Sequence, residues 1–346
     1  MTTTECRETL TDIIFVPMMA ECGVKTIEGF ANDVVTNLER REMKRVGEIY
    51  DKLQKMKSSD IMKHKFNYWK VMQCLGEVGI EKIILTIKTN TLHSCHCHVY
   101  SNLFEAMNLF CECLTTVNVI KRVLYHRQAL VPIFFEALRQ TKEPRLVGKM
   151  LVIMYRCLIV GKQSLVELYM SNKILKDLHS VAQKQLDFND NSVDIVEYSV
   201  KLLYGLVIHG GKNVRHQVRH SSAIIAVEEY KQCLERKIGP KIIRLTDPVV
   251  LKYYTALRIE LDGGTQLIDK QSLRDILKEE CKSDNGHVIF CSAPCCRRQF
   301  QEERDHFRYC GACRLSRYCS KQCQREHWKV AHKEMCLKLE CYTQDS

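Results

Sequence analysis

The side chains best suited to chemistry gather near the C-terminal end. The stretch YCSKQCQREHWKVAHKEMC, residues 318–336, holds three cysteines, two histidines and a tryptophan. Cys319 and Cys323 are four residues apart, as are His332 and Cys336, so each pair can project from one face of a helix. Upstream, RYCGACRLSRYC supplies Cys310 and Cys313, and CSAPCC supplies Cys291, Cys295 and Cys296. Taken in order, Cys291/Cys296, Cys310/Cys313, Cys319/Cys323 and His332/Cys336 are four ligand pairs, with Cys295 an alternative to Cys296. Eight nitrogen and sulfur ligands make two tetrahedral sites, one Cys₄ and one Cys₃His. Zinc prefers that donor set in closed structural sites.

A disulfide framework is the competing use of so many thiols, and it needs an oxidising compartment. The N-terminal MTTTECRETLTDIIFVPMMAECG has no basic segment followed by an apolar core and a small-residue cleavage site. Cysteine also occurs singly inside apolar helical patterns such as MYRCLIV, where a buried reduced thiol is expected. The odd total of 19 cysteines fits a reduced protein better than a paired one. Metal ligation in an intracellular protein, cytoplasmic and/or nuclear, is therefore the expectation.

Residues 310–336 resemble the ending of a MYND zinc finger, which runs CxxC, YCxxxCQxxxW, then His and Cys four residues apart. The matching residues are Cys310, Cys313, Tyr318, Cys319, Cys323, Gln324, Trp328, His332 and Cys336. CSAPCC also resembles the family's C-x₄-C opening, which favours Cys296 over Cys295. The resemblance implies two interleaved structural zinc ions. Cys291, Cys296, Cys319 and Cys323 would hold the first, and Cys310, Cys313, His332 and Cys336 the second. It also implies a groove for short proline-containing peptides, to which Gln324 and Trp328, four residues apart on one helix face, would contribute. Three features depart from the family pattern. The interval from Cys296 to Cys310 is long, which predicts an extended loop. Three residues rather than two separate Trp328 from His332, and Gly311 stands where a small hydroxyl residue is usual. His327 is an alternative to His332, but it has no partner four residues on, so it is expected to be an exposed helix residue.

The rest of the chain must position this cluster. From residue 1 to about 280 the apolar spacing is helical and Pro and Gly are rare within the runs. HVYSNLFEAMNLFCECLTT places Leu103, Met107, Phe110 and Leu114 on one stripe. PRLVGKMLVIMYRCLIVG opens on Pro144 and closes on Gly161, and SVDIVEYSVKLLYGLVIHGG runs from a capping Ser192 to a glycine pair. Aligned on Leu75, Leu114, Leu158 and Leu206, the similar helices recur at steps of 39, 44 and 48 residues. Each is followed by a shorter apolar segment, and the 162–178 stretch resembles an armadillo junction. That period resembles armadillo and HEAT repeats, whose units must stack to bury their apolar faces. The expected architecture is all-α: an armadillo-like helical solenoid over 1–280, a 281–290 linker, a small zinc-stabilised finger over 291–336 and a tail over 337–346.

Composition narrows the function classes. The formal charge of +11 falls to about +8 once seven thiolates and two divalent ions are counted. It is dispersed, with no basic stripe interleaved with aromatics, which disfavours nucleic acid as a partner. No apolar run approaches the length of a membrane span. LHSCHCHVYSN alternates His and Cys at spacings of two, which converge poorly on one ion. MYND fingers also accompany SET-type lysine methyltransferases, which makes that enzyme class the alternative, beside a nucleic-acid-associated regulator. The chain has no strand-rich stretch of catalytic-domain size and no P-loop, GxSxG or HExxH string. The expectation is a non-catalytic interaction adaptor whose partners are proteins.

Overall fold

The computed structural model describes residues 27–40, 42–57, 62–92, 99–114, 116–141, 144–188, 193–238, 253–262, 290–293, 296, 298–300, 306–333 and 336. Cys295, the 93–98 part of the His/Cys run, residues 281–289 of the linker and the 337–346 tail lie outside them. Between 27 and 262 the described residues form helices joined by short turns, as the apolar periodicity predicts. Among them, no helix is long and apolar enough to cross a membrane.

These residues form two compact units. One contains 27–90, 99–119 and the described residues from 290 onward; the other contains 91–92 and 120–262. The division differs from a break at residue 280, because the cysteine-rich segment belongs with the N-terminal helices.

In the first unit, α1 (Ile27–Glu39), α2 (Met43–Lys57), α3 (Met62–Val78), α4 (Ile80–Leu92) and α5 (Val99–Cys113) are followed by the start of α6 (Val117–Tyr125). Helix α3 packs against α1, α2 and α5. Its Tyr68, Val71, Met72 and Leu75 are fully buried, as are Phe110 and Leu114 of the predicted 98–116 stripe. Buried Tyr68 donates its hydroxyl to Glu112 on α5 at 2.7 Å, so a polar pair lies inside this apolar contact.

In the second unit, α7 (Arg127–Gln140) precedes α8 (Pro144–Gly161), α9 (Gln163–Ser171) and α10 (Ile174–Phe188). Then come α11 (Val193–His209), α12 (Gly211–Arg219), α13 (Ser222–Ile238) and the helical residues 253–262. Pro144 and Gly161 bound α8, as read from the sequence. Lys162, at φ of 50°, immediately precedes the nine-residue helix α9, and Gly211, at φ of 71°, is the first residue of the nine-residue α12. Long helices lie together here, α8 on α11 and α10 on α13. Arg139 forks onto the buried Asp177 at 2.8–3.1 Å, tying α7 to the first turn of α10. Lys201 of α11, itself buried, lies 5.0–5.5 Å from the ring centroids of Tyr155, Tyr198 and Tyr253 and pairs with Glu197 at 2.9 Å. That cage holds residue 253 against α8 and α11 without an apolar side chain at the centre.

Candidate metal centre

Two short strands, β1 (Arg308–Tyr309) and β2 (Arg317–Tyr318), pair antiparallel and bring the ligand segments together. Between them the chain turns sharply at Cys310–Cys313. Arg314 N–H bonds to Cys310 O at 2.9 Å, Cys310 N–H bonds to Ser316 O at 2.8 Å, and Arg314 takes a φ of 53°. This turn points both thiols the same way, and the Leu315 amide donates to Cys313 Sγ at 3.4 Å. After β2, Ser320 caps helix α14 (Lys321–His327) by accepting from the Cys323 amide at 3.1 Å, which places Cys323 one turn beyond Cys319. An isolated bridge between Phe290 and Gln299 holds the Cys291 and Cys296 segment.

The eight expected ligands lie in two groups. Sγ atoms of Cys291, Cys296, Cys319 and Cys323 all lie within 4.8 Å of one another, and so do the ligand atoms of Cys310, Cys313, His332 and Cys336. Within the first group Cys319 Sγ is 3.6 Å from both Cys296 and Cys323 Sγ. In the second, Cys310 and Cys336 Sγ are 3.9 Å apart, and Cys313 Sγ is 3.6 Å from His332 Nε2. Tetrahedral zinc with bonds of about 2.3 Å to sulfur and about 2.05 Å to nitrogen separates its ligand atoms by about 3.8 and 3.6 Å. The observed spacings fit that shell, whereas an S–S bond is about 2.05 Å long.

Protonation chemistry points the same way. A hydrogen bond between the Cys291 and Cys296 thiols pushes Cys291 up and pulls Cys296 down to about 5. Burial pushes Cys319 up to about 11 and Cys336 up to about 12. Ionising clustered buried thiols together is costly, and a divalent cation offsets that cost. Burial lowers the His332 pKa and so favours the neutral imidazole, the form that ligates. Backbone amides support the thiolates, with Cys319 N–H donating to Cys291 Sγ at 3.4 Å.

His327 corrects a sequence expectation. It is not exposed but 3% accessible, hydrogen-bonded through Nδ1 to Tyr318 Oη at 3.1 Å, and its ring centroid is 5.1 Å from that of His332. Burial, then the nearby His332 and Lys70, lower its pKa to about 3, so it stays neutral. His327 lies in neither ligand group, and its lack of a partner four residues on says nothing of burial. The extra residue between Trp328 and His332 also has a physical outlet. Trp328–His332 form one wide π-helical turn, which accommodates one more residue than an α-turn. Trp328 is left 36% exposed, its ring edge-to-face with His332 at 5.7 Å, and half-buried Gln324 lies one turn earlier.

Other contributors escaped the sequence reading. Residues 301–305 of the long loop lie outside the described residues, but its flanks pack together. Phe300 meets Phe307 at 5.3 Å, and Arg317 stacks between Phe300 at 5.7 Å and Tyr309 at 5.1 Å. Lys70, Gln73 and Glu77 of α3 also reach this segment, and Asn118 Nδ2 donates to Arg314 O at 2.6 Å. The available signal was Gln73 and Glu77, polar residues four apart among the apolar Val71, Met72 and Leu75 of the helix.

Residues 291–336 match the family model of the MYND finger. No curated protein and no solved structure matches the chain. The 291–336 segment is thus a MYND finger with two Cys/His clusters able to bind zinc, a domain type that points to protein–protein interaction.

Proposed function

We propose that this chain is a non-catalytic, intracellular interaction adaptor stabilised by two structural zinc ions. Cys291, Cys296, Cys319 and Cys323 hold one ion; Cys310, Cys313, His332 and Cys336 hold the other. The finger engages an extended, proline-containing peptide over Gln324 and Trp328, and the stacked helices engage a second protein. Structural zinc contributes about 10–16 kcal/mol per site in finger peptides, more than a core of this size provides.

The placement of Trp328 is the observation that carries the peptide reading. The aromatic centre of the finger is filled by Tyr318, His327 and His332, each at most 3% accessible, whereas the Trp328 indole remains 36% exposed at the rim. An indole held by ligated His332 is a flat apolar surface with little ordering cost left, on which a proline ring can stack. Gln324 can hydrogen-bond the backbone of a peptide that proline already holds extended. Trp328→Ala in the full chain should weaken a proline-rich peptide by about 1–3 kcal/mol, as for an aromatic anchor, while metal analysis still finds two zinc ions. Loss of zinc together with unfolding would make Trp328 part of the core and end the groove reading.

A further inference from the structure

Three residues of α3 remain without a role in either ligand set or peptide groove, and all are buried: Lys70 at 2%, Gln73 at 3% and Glu77 at 5% accessibility. Spaced at i, i+3 and i+7, they share one helix face. That face meets the backbone and hydroxyl groups next to the metal ligands. Lys70 Nζ donates to the carbonyl of Cys291. The Gln73 side chain pairs in both directions with Phe290, donating Nε2 to its carbonyl at 3.0 Å and accepting its amide at 3.1 Å.

Glu77 is the junction. Its carboxylate accepts from Gln73 Nε2 at 2.9 Å, Ser292 Oγ at 3.0 Å and Ser316 Oγ at 2.8 Å. Ser292 also accepts the Arg317 amide at 2.8 Å on its hydroxyl and donates its own amide to the Arg317 carbonyl at 2.6 Å. Ser292 follows Cys291, and Ser316 lies between Cys313 and Cys319, so one carboxylate ties together the segments that carry ligands of both clusters. Groups one bond beyond metal ligands fix ligand orientation. The dependence runs both ways, because α3 without the finger keeps a buried carboxylate stripped of two hydroxyl donors.

We propose that Lys70, Gln73 and Glu77 are positioning residues of the metal centre, α3 being its outer support, and that metal occupancy in turn governs the order of α3. This rests on the two-zinc reading above. Zinc binding and the ordering of α3 then share one coupling free energy, so loosening either side weakens the other.

The test uses the full chain, with zinc counted first, zinc release timed against a chelating dye, and backbone hydrogen exchange followed by mass spectrometry. Glu77→Ala should speed zinc loss by about tenfold, the low end of the loss that follows removal of a group supporting a metal site. Glu77→Gln, which can still bridge Ser292 and Ser316 with the Ser316 hydroxyl reversed, should restore release close to the native rate. Stripping zinc from the native chain should raise exchange in 62–78 and leave 193–209 unchanged. If Glu77→Ala does not fold, Gln73→Ala removes the Phe290 pairing and one donor to Glu77 but leaves Ser292 and Ser316 on the carboxylate, and should give a smaller change of the same sign. Native release rates in the alanine variants, or a 62–78 segment indifferent to zinc removal, would overturn the proposal. A chain that binds no zinc overturns the two-zinc reading as well, so the metal count tells the two failures apart.

Discussion

Tyr318, His327 and His332 meet ring against ring inside the finger, at centroid separations of 5.1–6.1 Å. With that centre filled, the neighbouring positions differ in how much change they accept. Gly311 stands where related fingers carry a small hydroxyl residue, and a β-carbon added there would meet nothing within 4 Å. Gly311→Ser should therefore fold and keep its zinc. In the proposed groove it adds one hydrogen bond, worth about 0.5–1.5 kcal/mol, so a proline-rich peptide should bind several-fold more tightly by calorimetry. Unchanged affinity would place the peptide away from the Cys310–Cys313 turn. At this scale the sequence was highly legible where spacing encodes chemistry. Each of the eight residues named as ligands lies in one of the two clusters, with Cys296 in its cluster. It was poorly legible where burial decides, because a histidine beside a ligand reads alike whether it faces water, as expected of His327, or the core.

Helix α3 shows what an element adds. At Gly76 it approaches α5 so closely that a β-carbon would sit 2.5 Å from the Cys113 carbonyl oxygen. A backbone carbonyl cannot rotate away as a side chain can. Gly76→Ala would gain up to about 1 kcal/mol of helix propensity. The clash with a packed neighbour costs about 1–3 kcal/mol, so net destabilisation is expected in chemical denaturation. A neutral or stabilised variant would mean that α3 and α5 can move apart. Helix existence and several ends were written in the sequence. Leu75, Leu114, Leu158 and Leu206 are all fully buried, and Pro144 and Gly161 do bound α8. The π-helical turn was visible only as a spacing anomaly, since nothing local distinguishes an inserted residue that bulges a loop from one that widens a helix.

Across the whole chain, local patterns stop being informative. The bonds from Gln73 and Glu77 to Phe290, Ser292 and Ser316 join residues more than two hundred positions apart, and neither helical periodicity nor ligand spacing encodes such a pairing. A cut at residue 280 follows naturally from composition, yet the finger residues share a compact unit with 27–90 and 99–119, and 91–92 with 120–262 form the other. That grouping changes what losing a metal ligand should do. Were the finger a detached module, Cys310→Ser would unfold it and leave the helical signal of the chain intact. With Ser316 donating to buried Glu77, collapse of the Cys310–Cys313 turn also removes a partner from α3. Leaving a buried carboxylate short of a donor costs about 1–3 kcal/mol or more, a large share of the stability of a single compact unit. Cys310→Ser should therefore raise hydrogen exchange in 62–78 and 99–113 while 144–161 and 193–209 keep their protection, with circular dichroism falling by the contribution of the first group alone. Loss of protection in both groups would show that the two units unfold as one, and full protection in 62–78 would show that the finger stands apart from α3.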